Sequence, residues 1–214
     1  VGFSAVISAT LLQATTNVNK VFPNLAEFPV IGAIIIVMIV GMIIGSINGL
    51  IVAKLNVHPF IATLGMMTIV YGVNSLYYDY VGASPISGFS KSYSSFAQGY
   101  IGTPSFNMSY LIIYAAIATA IMWILWNKTK FGKNVFAVGG NPEAARVSGV
   151  NVAWTLVKIY ALSGMYYAFG GLLEAGRIGS ATNNLGNMYE MDAIAACVIG
   201  GVSFYGGVGK ISGV

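Results

Sequence analysis

Val30-Ile31-Gly32-Ala33-Ile34-Ile35-Ile36-Val37-Met38-Ile39-Val40-Gly41-Met42-Ile43-Ile44-Gly45-Ser46-Ile47-Asn48-Gly49-Leu50-Ile51-Val52-Ala53 contains no Asp, Glu, Lys or Arg, and this stretch decides the fold. Crossing the roughly 30 Å hydrocarbon core of a bilayer takes about 20 residues of apolar helix, and residues 30–53 supply them. Outward from this stretch, residues 59–78 and 108–127 are equally free of charge, and 1–19 is uncharged from the first residue. These four runs are expected to be spans. A fifth is expected at 159–173, bracketed by Lys158 and Glu174, with the Lys158 stem carrying its ammonium toward the headgroups. Residues 193–209 are also uncharged, but Gly200, Gly201, Gly206, Gly207 and Gly209 predict a sixth helix that breaks. The apolar runs are continuous and lack the alternation of barrel strands, which leaves an all-α, polytopic membrane helix bundle.

Composition agrees with that solvent. Of 214 residues, 57% are hydrophobic and 7% charged, too few charges to clothe a soluble domain, where about a quarter are charged. The net charge of +4 does not form a basic patch interleaved with exposed aromatics, so no nucleic-acid partner is expected. The basic residues sort by loop instead. Lys128, Lys130, Lys133, Arg146 and Lys158 are half of all Lys and Arg and share their segment with one acid, Glu143. The positive-inside rule therefore assigns the loop 127–155 to the cytoplasm, along with the short connection 54–58. Loops 20–29 and 79–107 then face outward, and the second, rich in Gly, Ser and Tyr, is expected to be weakly ordered. Cys197 is the sole cysteine, which excludes an internal disulfide. The chain opens inside an apolar run and closes at Lys210-Ile211-Ser212-Gly213-Val214, and it is expected to be an internal part of a longer subunit: one transmembrane domain over 1–214, incomplete at both ends.

Gly41, Gly45 and Gly49 repeat at four-residue spacing and strip one helix stripe of bulk, which serves close helix packing or, alternatively, a pore lining. Asn48, Tyr71 and Asn74 are polar groups at or near membrane depth. Each needs a hydrogen-bond partner or a wet cavity. Interhelical bonding explains them, and so does a pathway for a hydroxylated solute. In the cytoplasmic loop, Asn141 is a good N-cap, Pro142 fits the first helical position, Glu143 suits the positive helix end and Gly149 is a natural stop. These signals predict a two-turn helix over 142–148, too short to stand alone. It either packs as a surface turn on its own bundle or docks in a partner.

Gly206-Gly207-Val208-Gly209-Lys210-Ile211-Ser212 imitates a phosphate-binding loop but fails it twice, at Phe204 and at Ile211, so no ATP site is expected in this chain. His58 has no second ligand at metal-binding spacing, and no metal is expected. Glu174 and Arg177, three apart, suit a local ion pair, while Arg177 and Lys91 are also outward-facing cations able to meet acids of a soluble partner. Glu190 and Asp192 suit the positive end of the sixth helix, and no catalytic constellation accompanies them.

Three stretches carry a family resemblance: Pro59-Phe60-Ile61-Ala62-Thr63-Leu64-Gly65, Gly139-Gly140-Asn141-Pro142-Glu143-Ala144-Ala145-Arg146-Val147-Ser148-Gly149 and Tyr189-Glu190-Met191-Asp192-Ala193-Ile194-Ala195-Ala196. With these, the sequence resembles the permease subunits of bacterial ATP-binding-cassette importers for monosaccharides such as ribose, xylose and galactose. The resemblance implies a multi-pass protein of the bacterial inner membrane, no enzyme itself, that translocates galactose or a methyl galactoside. It further implies a pair of permease subunits in the bilayer, a separate ATPase that uses the ATP, and a periplasmic sugar-binding protein. The implied ATPase-coupling loop comprises Gly140, Asn141, Pro142, Glu143, Ala144, Ala145, Arg146 and Gly149. Residue chemistry alone leaves one rival, an ion-gradient-driven transporter or channel for a small polar solute, with the broken sixth segment as its site.

Overall fold

The computed structural model describes residues 1–103, 106–203 and 205–213. Pro104 and Ser105 of the long outer loop, Phe204 of the glycine-rich stretch and Val214 lie outside the described residues, as do the side chains of Thr103 and Phe106. Among the described residues, four helices are long and apolar enough to cross a membrane: α2 (Val30–Leu55), α3 (Pro59–Tyr80), α5 (Tyr110–Lys128) and α8 (Val152–Ile178). Between and around them lie α1 (Gly2–Leu11), α4 (Lys91–Gln98), α6 (Lys130–Gly140), α7 (Pro142–Val147) and α9 (Tyr189–Ile199).

Three sequence expectations need correction. The uncharged run 1–19 forms a helix only over the 10 residues of α1, roughly 15 Å. Beyond Leu12 the polar side chains take over: Gln13 donates to Ser87 O and accepts from Val21 N, while Asn17 accepts from Asn19 N. The fifth span is longer than 159–173. Asn151 caps it by accepting from Trp154 N, Lys158 rides on its exposed face, and Gly179 at φ +80° ends it. The described part of the loop 79–107 holds defined elements instead of loose chain. Ser90 caps α4, whose Tyr93 and Ala97 are fully buried against α8, with the Tyr93 hydroxyl donating to Leu172 O at 2.5 Å. Burial pushes the Tyr93 phenol well above its ordinary pKa, so it remains a donor.

The seam between α2 and α8 organises the bundle. A Cβ on Gly49 would lie 2.8 Å from Val157 Cα, one on Gly41 would lie 2.5 Å from Ala168 Cβ, and one on Gly45 would overlap the Tyr160 carbonyl. Gly164 of α8 answers from the other side, where a Cβ would overlap Gly41 O. The close backbone approach is thus made by glycines of both helices. Helix α1 lies against α8, α2 and α3, and its Ala5, Val6 and Ala9 are buried with Tyr78, Ile86, Ala175 and Ala181. At the end away from the basic loop β1 (Ile86–Ser87) pairs antiparallel with β4 (Ser180–Ala181), and β2 (Tyr100–Thr103) pairs with β3 (Phe106–Ser109). In contrast, α5 buries none of its described side chains and α3 exposes Ile61, Ile69 and Leu76, apolar faces that require lipid or further protein as cover. After Ile199 the described residues of the sixth segment form turns, with a 3-10 turn at Ile211–Gly213.

Candidate functional site

The loop at the basic end of the bundle contains the two-turn helix that its local signals predict. Asn141 Oδ1 accepts from Glu143 N and Ala144 N, each at 3.0 Å, and Pro142 occupies the first turn. The other end is closed as firmly. Gly149, at φ +83°, donates to Arg146 O and Val150 donates to Ala145 O, both at 3.0 Å, which satisfies the last carbonyls in the pattern of a left-handed glycine cap. Ala145 alone of α7 is buried. Pro142, Glu143, Ala144 and Arg146 are exposed, and Val147 is 89% exposed. Glu143 and Arg146 pair at 3.4 Å, a solvent-facing contact worth less than about 1 kcal/mol. Two caps and one buried methyl therefore hold a helix whose remaining surface is largely exposed among the described residues.

Behind α7, the chain turns back on itself. The α6 C-terminus at Gly139 and Gly140 abuts Gly206 and Gly207, and a Cβ on Gly139 would lie 2.6 Å from Gly207 N. The glycine-rich stretch that imitates a phosphate loop thus makes a backbone contact. A cavity of about 950 Å³ opens beside it, lined by the ends of α2, α5 and α8 nearest the basic loop with Trp123, Trp126, Phe136, Glu143, Arg146 and Lys210.

The three polar residues of the apolar spans do not form one group. Tyr71 and Asn74 meet the same irregular segment, 182–188: the Tyr71 hydroxyl donates to Asn184 Oδ1 at 3.0 Å and Asn74 Nδ2 donates to Asn183 O at 3.1 Å. Asn48 is on α2, only 8% exposed, and its Oδ1 has no partner among the described residues; the same holds for Asn74 Oδ1. Asn183 and Asn184 escaped the sequence reading. Their signal was present in Thr182-Asn183-Asn184-Leu185-Gly186-Asn187-Met188, a polar run between two apolar ones.

Of the two cations expected to face outward, Arg177 is engaged locally. Its Nε and Nη2 donate to Glu174 at 2.9 and 2.6 Å, and Glu174 Oε1 also accepts from the Tyr189 hydroxyl at 2.7 Å, tying α9 to α8. Lys91 begins α4, exposed and without an ion pair among the described residues. His58 caps nothing and lies at the exposed start of α3. Among the described residues no group of His, Cys, Asp and Glu is arranged to hold a metal.

Comparison with known proteins adds a frame to this geometry. The family described as "Branched-chain amino acid transport system / permease component" matches residues 1–214. The galactose/methyl galactoside import permease protein of Salmonella typhimurium is 67% identical over 214 residues, all of this chain and 64% of that protein. The protein of the same description from Haemophilus influenzae is 65% identical with the same coverage. The fructose import permease protein of Rhizobium meliloti is 39% identical over 190 residues, 87% of this chain and 52% of that protein. The chain thus spans 64% of the length of these two galactose/methyl galactoside permease relatives. No solved structure matches it.

Proposed function

The chain belongs to the family of branched-chain amino acid transport system permease components, and from that membership we propose that it is the membrane-embedded part of an ATP-driven importer for galactose or methyl galactoside. Support for the sugar comes from the relatives at 65–67% identity, which are galactose/methyl galactoside import permeases. The chemistry of the spans favours the same solute. An amino acid carries an ammonium and a carboxylate, whereas Tyr71, Asn74, Asn183 and Asn184 offer neutral donors and acceptors.

The observation that carries the proposal is α7, capped at both ends and exposed over Pro142, Glu143, Ala144, Arg146 and Val147. Such a helix is preorganised to seat in a partner without paying the ordering cost of a flexible loop. In this reading the partner is a separate ATPase on the cytoplasmic side of the bacterial inner membrane, a sugar-binding protein docks on the outer side near Lys91, and two copies of the subunit form the pathway. ATP is used by the partner, and the α2–α8 pair carries its motion to the outer end.

The test is uptake of labelled galactose into proteoliposomes containing the full-length subunit, with and without ATPase, binding protein and internal ATP. The expected result is uptake only with all components, reduced at least about tenfold when Glu143 and Arg146 are both changed to Ala, while insertion and the melting temperature are preserved because the pair is exposed. Uptake that follows an ion gradient and ignores ATP would refute the importer reading.

A further inference from the structure

The segment 182–188 lies far deeper than a surface loop. Two helices measure its depth independently. Tyr71, which holds Asn184, is nine residues inside the Tyr80 end of α3, roughly 14 Å by helical rise. Leu185 and Gly186 lie against Val1 and Gly2, at the opposite end of α1 from Leu11, again roughly 14 Å down. A Cβ on Gly186 would lie 2.7 Å from Val1 Cγ1. The outer ends of both helices are marked by loops that bond one another, with Ala14 N donating to Gly88 O and Ser90 N to Leu12 O. After leaving β4, the chain therefore dips to about the middle of α3 before α9 begins.

Irregular backbone at that depth is tolerated only where protein buries it or where it lines water. Part of this segment is buried: Asn74, 2% exposed, anchors Asn183 O. Its Oδ1, without a partner among the described residues, is a costly group unless a hydroxyl or water reaches it. The other part is open. Asn184, Asn187 and Met188 are exposed and Tyr71 is 46% exposed, so the Tyr71–Asn184 bond presents its unused donors and acceptors outward. These groups carry no formal charge, and a phenol edge lies beside them. That is the chemistry that exchanges hydrogen bonds with sugar hydroxyls while holding none tightly enough to trap it.

We propose that the turn 182–188 is a re-entrant element of the solute pathway, in which Asn184, Asn187 and Tyr71 bind the hydroxyl groups of a neutral polyhydroxylated solute at mid-membrane and Asn74 is the positioning residue beneath them. The proposal rests on the importer reading and deepens it by locating the contact. Tyr71 and Asn184 bond each other when the site is empty, so each is already oriented and neither is left unpaired. An arriving hydroxyl replaces one partner at a time.

The test uses the complete importer in proteoliposomes, with Cys197→Ser as background and Asn184→Cys or Asn187→Cys introduced singly. The expected result is reaction of either thiol with a membrane-impermeant thiosulfonate, slowed by galactose and unaffected by leucine. In parallel, Asn184→Ala is expected to lower uptake about fivefold, the loss of one neutral hydrogen bond, in a complex that still assembles with its ATPase. If both thiols remain unreactive with and without ATP in complexes that retain ATP-dependent uptake, protein covers the turn and the proposal fails. Protection by leucine and not galactose would overturn the solute class. Absence of ATP-dependent uptake in the unsubstituted complex would instead remove the importer reading itself, a result distinguishable from either.

Discussion

Asn141 and Gly149 hold the exposed helix by opposite means, one side chain satisfying two orphan amides and one glycine adopting a conformation that L side chains rarely take. Asn141→Ala is expected to cost α7 about 1 kcal/mol, enough to weaken any partner that binds only the helical form by roughly fivefold. Gly149→Val, which forces a branched side chain to positive φ, is expected to weaken it further. Both are measured as ATPase retained with the full-length subunit on purification, with the melting temperature in detergent unchanged because the loop lies outside the core. These residues were legible in the sequence because capping is local: the cap, the Pro and the stop lie within nine positions of one another. Asn184 was not, because its partner Tyr71 is 113 residues away and nothing local reports depth.

Among the elements, α2 was read to within two residues at its C-terminal end, since Lys54 and Asn56 close an uninterrupted apolar run. The stripe Gly41, Gly45 and Gly49 was visible too, though not its partner, because Gly164 belongs to a helix with a mixed sequence. Charge counting shortened α8: Lys158 and Glu174 were treated as boundaries, yet each sits within the helix, one exposed and one neutralised by Arg177. It also lengthened α1, since Gln13, Asn17 and Asn19 are uncharged but bond to loop backbone or to one another. Helix α4 was taken for loose chain because its composition is that of a loop, while the burial of Tyr93 is supplied by α8. Gly45→Leu tests the seam. It is expected to lower the melting temperature of the full-length subunit in detergent by at least about 5 °C, because the atoms in its way are backbone and cannot yield.

For the whole molecule, the charge distribution predicts sidedness, and the structure gives residues on which to check it. On the Cys197→Ser background, Lys91→Cys is expected to react with an impermeant thiol reagent from outside in intact spheroplasts. Val147→Cys, 89% exposed on α7, is expected to react only after the membrane is opened, with the subunit produced without its ATPase. Labelling of both from one side would overturn the assigned topology.

Helix α7 reaches α8 through only a few residues, closed by the Gly149 turn and opened by the Asn151 cap, so there is little slack between them. With its backbone locked to α2 by glycines, α8 gains the bending stiffness of a double beam roughly 40 Å long. Tilting such a beam by about 5° at the basic end displaces the far end by some 3 Å, about one hydrogen-bond length. That far end bears Glu174, the anchor of Tyr189, and a displacement of this size would tug directly on the descending turn that leads into α9.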